Sequence, residues 1–88
     1  SNGYAEPLVR HDGVVTTLKD AFGFLRADGF DRDIFFHRTD VRNGAFSTLR
    51  VGAQVQFAAQ LGDQGYIARS VTVRYAYGPV EPRSRPTF

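Results

Sequence analysis

Eighty-eight residues without a cysteine make one domain at most, held by neither disulfides nor thiolate metal ligands, and favour a reducing compartment such as the cytoplasm. Folding so short a chain buries only about 60–65% of the surface its unfolded form exposes; no stretch approaches the ~18 apolar residues of a membrane span and no signal peptide is visible, so no membrane partner is expected. The balance of 11 basic against 9 acidic residues, net +2, permits an anionic partner without demanding one, although every cation but Lys19 is arginine, which stacks on flat rings and forks onto phosphates.

Ser1-Asn2-Gly3 reads as a cloning remnant, and residues 1–11 as that remnant plus an irregular N-terminal extension. The folded body is expected over 12–76, small enough to imply a piece of a longer protein. "VVTTL" (14–18) is β-branched and follows the turn pair Asp12-Gly13. "FGFLRA" (22–27) alternates and breaks at Asp28-Gly29; "DIFFHR" (33–38) alternates again. Residues 39–50 lack alternation and are too long for a tight turn, so they form a crossing loop with room for one helical turn. "AQVQFAAQL" (53–61) places Val55, Phe57, Ala59 and Leu61 on one side, and "YIARSVTVRY" (66–75) follows the hairpin-like turn Gly62-Asp63-Gln64-Gly65. The tail "GPVEPRSRPTF" carries three of the four prolines, so 77–88 reads as a linker. Five short strands in so small a body predict an all-β fold, a five-stranded antiparallel OB-type barrel, because closure removes edges. An SH3-like barrel is the structural rival.

Five phenylalanines fall within residues 21–38, and alternation sorts them. Phe22 and Phe24 share one face of the second strand; Gly23 and Leu25 share the other. In the third strand Ile34 and Phe36 face one way, Phe35 and His37 the other. Leu25, Ile34 and Phe36 make a sound interior, with Gly23 leaving room for a neighbour. The opposite choice would bury His37, whose ring nitrogens need partners. Phe22, Phe24, Phe35 and His37 are therefore expected on the outside, as a platform on which unpaired bases stack at about 1–3 kcal/mol each. Lys19, Arg26 and Arg38, together with Arg69 or Arg74, are the candidates for phosphate contacts.

These residues resemble the cold-shock domain family. Asp20-Ala21-Phe22-Gly23-Phe24-Leu25 is similar to its first nucleic-acid motif, Lys-Gly-Phe-Gly-Phe-Ile, and Ile34-Phe35-Phe36-His37-Arg38 to its second, Val-Phe-Val-His-Phe. Gly13-Val14-Val15 resembles the opening strand, and "GAFSTLRVGAQVQF" (44–57) the long loop and fourth strand, so the likeness covers about 13–73. The resemblance implies stacking roles for Phe22, Phe24, Phe35 and His37, and a further one for Phe46, whose loop position equally allows it to fold back onto the barrel. Three departures weaken the expected platform. The first-strand tryptophan of bacterial and Y-box members is replaced near Thr17, Asp20-Ala21 stands where the first motif opens on a basic residue, and Arg38 replaces an aromatic. "TTLKDAFGFL" and "IFFHR" look most like the domains of Unr-type translational regulators.

The resemblance and the platform together imply single-stranded RNA as partner, with single-stranded DNA tolerated, no cofactor and a monomeric domain. A protein binding alongside on the RNA, or a protein-interaction module that uses the exposed rings itself, is the alternative. Phe30 is read as a solvent-exposed loop residue in preference to an edge of the platform. Arg42, Arg50, Arg83 and Arg85 read as solubilising charge, and Asp28, Asp31 and Asp33 as hairpin polarity, since they lack calcium-loop spacing. Two histidines without cysteines argue against a metal site, and no nucleophile stands at useful spacing from a base, so no enzymatic activity is expected.

Overall fold

The computed structural model describes residues 9–75. Most of the expected N-terminal extension, the linker over 77–88, and Arg83 and Arg85 within it lie outside the described residues. The strands are β1 (His11–Leu18), β2 (Phe22–Ala27), β3 (Ile34–His37), β4 (Gln54–Gly62) and β5 (Gly65–Tyr75). They close into a barrel in the order β1-β2-β3-β5-β4, with β1 returning to pair with β4 from His11↔Phe57 to Val14↔Gln54. Closure leaves no long edge for another chain to extend. The described residues contain no helix long and apolar enough to cross a membrane.

Turn chemistry sets the hairpins. The Lys19 N–H donates to the Phe22 carbonyl at 2.8 Å, closing the β1–β2 turn. Gly62 pairs with Gly65, whose φ of 120° lies in a region that glycine alone enters freely, so the β4–β5 tip is tight. The crossing from β3 to β4 is 3₁₀ over Arg38–Asp40 and Arg42–Thr48, separated at Val41, the second stretch being kinked at Asn43 and Gly44, whose φ of 61° and 62° are left-handed. That crossing returns the chain so that β3 meets β5 in parallel, through Phe35↔Ile67, with Val41↔Val71 as a further bridge. The other ladders are antiparallel.

The core is the inward face that alternation predicts. Leu25, Ile34 and Phe36 are fully buried, joined by Val15, Val55, Phe57 and Val71. Burying each large side chain contributes about 1.5–3 kcal/mol. A Cβ at Gly23 would lie 2.6 Å from the Thr17 carbonyl oxygen and 2.9 Å from Phe36 Cζ, so glycine there lets β1 and the Phe36 ring close in.

One expectation is corrected. Phe30 is not a solvent-exposed loop residue: Gly29, at φ 88°, turns the chain back, and the Phe30 ring packs edge-on to Tyr66 and His11 at 5.2 and 5.1 Å and near Phe57 at 6.0 Å. It covers one end of the barrel. Leu61 keeps the phase of Val55, Phe57 and Ala59, as alternation predicts, and is 69% exposed beside its partner Tyr66 near the β4–β5 tip.

β5 carries one extra residue between the pairs Ala58↔Arg69 and Gln56↔Thr72. Ser70 occupies this bulge at φ 50°, a left-handed conformation that costs a non-glycine residue about 1–2 kcal/mol. Arg10 holds the bulge shut, since its Nη2 donates to the Gln56 carbonyl (3.0 Å), the Ser70 carbonyl (2.8 Å) and Thr72 Oγ1 (2.9 Å).

Candidate nucleic-acid interface

β2 and β3 pair in the register Phe22↔His37, Gly23↔Phe36, Phe24↔Phe35 and Leu25↔Ile34. Because paired residues share a face, Phe22, Phe24, Phe35 and His37 stand together on the outer surface while their sequence neighbours fill the core. All four are half-buried. The three phenyl rings form one cluster: Phe22 and Phe35 lie 5.6 Å apart and tilted by 30°, whereas Phe24 stands nearly perpendicular to Phe22 at 6.0 Å and to Phe35 at 5.9 Å. These are ordinary attractive aromatic separations, so each ring braces the others. A ring braced in this way has little conformational freedom left to lose on contact with a ligand.

His37 is fixed more tightly than its neighbours. It caps the first 3₁₀ segment: the Thr39 N–H donates to its Nδ1 at 3.2 Å, with Thr39 Oγ1 at 2.9 Å, and its own N–H donates to Asp40 Oδ2 at 3.0 Å. Since Nδ1 accepts a backbone N–H, the neutral ring carries its proton on Nε2. Asp40 is in turn held by Arg69, whose Nε lies 2.8 Å from Asp40 Oδ1. The His37-x-x-Asp40 spacing is a capping-box signal in the sequence that alternation alone overlooks.

The candidate cations flank the rings at both ends. Lys19 is exposed in the turn that leads to Phe22, and Arg38 is exposed just beyond His37, tied to that turn by its N–H donating to the Ala21 carbonyl at 2.8 Å. Arg26 is exposed two residues beyond Phe24 on the same face of β2. Arg69 lies on the His37 side, whereas Arg74 shares a separate depression with Arg26, Asp12 and Asp28.

Phe46 does not join the rings. It sits half-buried against the core with its ring edge-on to Phe36 at 6.2 Å, the folded-back alternative, because the 3₁₀ segment over Arg42–Thr48 lies on the barrel instead of reaching round it. Ile67 is the residue that sequence reasoning left out. It is half-buried beside Phe35 and alternates with the fully buried Ala68, so it extends the apolar face from β3 onto β5. At the opposite border Thr17 pairs with Phe24, and Thr16 donates its hydroxyl to Asp33 Oδ2 at 2.7 Å. A hydroxyl and a carboxylate thus bound the platform on the β1 side, where the resemblance leads one to expect a ring. Among the described residues no cluster of histidine and carboxylates could hold a metal ion.

A closed five-stranded barrel that turns a braced set of flat rings to solvent, with cations at both ends, belongs to the class of modules that bind unpaired bases. Within that class the chain belongs to the cold-shock domain family, since the profile of the 'Cold-shock' DNA-binding domain matches residues 11–74. Cold-shock domains bind single-stranded nucleic acids on a non-enzymatic fold. The chain is 40% identical over 52 residues to a cold shock protein of Arthrobacter globiformis, covering 59% of this chain and 78% of that one. It is 35% identical over 63 residues to the cold shock-like protein CspD of Vibrio cholerae, covering 72% and 75%. Among solved structures, drosophila Unr CSD456 shares the fold with a TM-score of 0.60 at 24% identity, over 89% of this chain and 29% of that longer one.

Proposed function

We propose that this domain binds single-stranded RNA, tolerating single-stranded DNA, by stacking bases on Phe22, Phe24, Phe35 and His37 while Lys19, Arg26 and Arg38 contact the backbone. The observation that carries this reading is the mutual packing of three outward phenyl rings in register with an imidazole whose orientation is fixed by its cap. Nothing in that geometry reads a base edge uniquely, so stacking tolerates many sequences. Within a larger protein the domain serves as one module of a post-transcriptional or translational regulator, where linkage to further modules raises its affinity. The reading fits a monomer working in the cytoplasm.

A second reading rests on the β1 border. With Thr17 beside Phe24 and a carboxylate at Asp33, that side of the platform repels phosphate, and the same exposed rings can anchor a protein partner. NMR titrations with oligo-U and oligo-A separate the two. Shifts concentrated on β2 and β3 are expected, with affinity falling as salt rises by a slope of about 0.7 per phosphate contacted. A Phe35→Ala/His37→Ala double variant that stays folded and binds RNA as tightly as the parent rules out the platform.

A further inference from the structure

The parallel contact between β3 and β5 carries the outer surface past His37. Ile67 is paired with Phe35, and Arg69 follows Ile67 by two residues just as His37 follows Phe35, so Arg69 stands next along the His37 row on the same face. There it borders an open basin of about 650 Å³ whose floor is the buried Ala58 on β4 and whose rim bears Arg10, Arg42 and Arg69. Thr39 and Asp40, both hydrogen-bonded to His37, line the basin as well, so it begins where the His37 row ends.

The charges on that rim are not balanced. Asp40 is the carboxylate in the lining, its side chain is only 10% exposed, and its two oxygens are committed to Arg69 Nε and the His37 N–H. The Nη2 of Arg10 spends its hydrogen bonds on two carbonyls and a hydroxyl, which hold the guanidinium in place without neutralising it. Arg42, on the second 3₁₀ segment, is exposed and engaged by no ion pair among the described residues. An immobilised guanidinium, a free one and the open edge of a third, around a concave floor, suit phosphate oxygens.

We propose that this basin is a phosphodiester site: a single strand stacked on the platform leaves past His37 and sets its next phosphates among Arg42, Arg69 and Arg10. This deepens the platform reading and rests on it. Arg42 then has a binding role, although the sequence presents it as ordinary surface charge.

The test uses Arg42→Gln, an exposed change that removes no described contact, with oligo-U of about four nucleotides, enough for the platform alone, and of about twelve, long enough to pass beyond it. The expected result is unchanged affinity for the short strand and a loss of about two- to fivefold for the long one, whose salt slope falls by about 0.7. Equal affinity of variant and parent for the long strand overturns the proposal, as does an equal loss on both lengths. If oligo-glutamate shifts the Arg42 and Arg69 Nε resonances and the long strand does not, the basin belongs to an acidic protein segment and the proposal fails. Phe35→Ala keeps the two readings apart: unchanged short-strand binding in that variant condemns the platform, whatever Arg42→Gln does.

Discussion

Phe35 and Phe36 are adjacent in the chain and point to opposite sides of the same strand, so alanine at each position should produce opposite phenotypes. Phe36 is fully buried among the largest core side chains. Truncating a core phenylalanine costs about 3–5 kcal/mol, against a total stability of about 3–10 kcal/mol for a domain of this size. At about 4–8 °C per kcal/mol the midpoint should fall by ~12–40 °C, leaving Phe36→Ala marginal or unfolded. Phe35 is half-buried and touches Phe22 and Phe24 at the surface. Losing two partly solvated ring contacts costs about 1 kcal/mol, so Phe35→Ala should stay folded with a midpoint lower by ~4–8 °C. Removing one stacking surface costs about 1–3 kcal/mol of binding, a loss of about 5- to 160-fold in affinity. Circular dichroism melts and fluorescence anisotropy with a labelled oligo-U measure the two quantities on the same preparations. Should Phe35→Ala unfold while Phe36→Ala stays cooperative, the inward and outward faces have been exchanged. Parental affinity in a folded Phe35→Ala would refute the stacking role by itself.

Gly23→Ala should lower the melting midpoint by more than 10 °C, because its methyl meets the Thr17 carbonyl oxygen at 2.6 Å and backbone cannot yield as a side-chain tip can. Ser70→Gly should change stability by less than ~1 kcal/mol, relief at φ 50° being offset by extra freedom in the unfolded chain. Ser70→Val, β-branched in the same conformation, should cost about 2 kcal/mol or more in urea melts, and equal stability of the two variants would remove the strain argument. Asp40→Ala should destabilise by about 1–3 kcal/mol, since the His37 N–H and Arg69 both lose their acceptor. It should also broaden the His37 ring resonances, and unchanged ring shifts would show that the cap does not hold the imidazole.

Period-two alternation was enough to read the second and third strands. "FGFL" and "IFFH" each allow only two assignments, and a glycine with a histidine chooses between them, because an unpartnered imidazole is costly inside and a missing side chain is useful there. Which way these side chains face therefore depends on local order along the chain, and the outward facing of Phe22, Phe24, Phe35 and His37 was legible without coordinates. The residues that escaped are those whose surroundings come from distant segments. Whether Phe30 or Phe46 is solvated depends on Tyr66, His11 and Phe36 arriving beside them. Leu61 alternates correctly and is exposed all the same, since where a barrel ends is a property of all five strands. The neighbourhood of His37 was equally hidden: only the crossing between β3 and β4, by setting β5 parallel to β3, brings Ile67 beside Phe35 and Arg69 onto Asp40, which holds the His37 N–H. A strand's pattern states which way its side chains point, whereas chain closure in three dimensions determines what they meet.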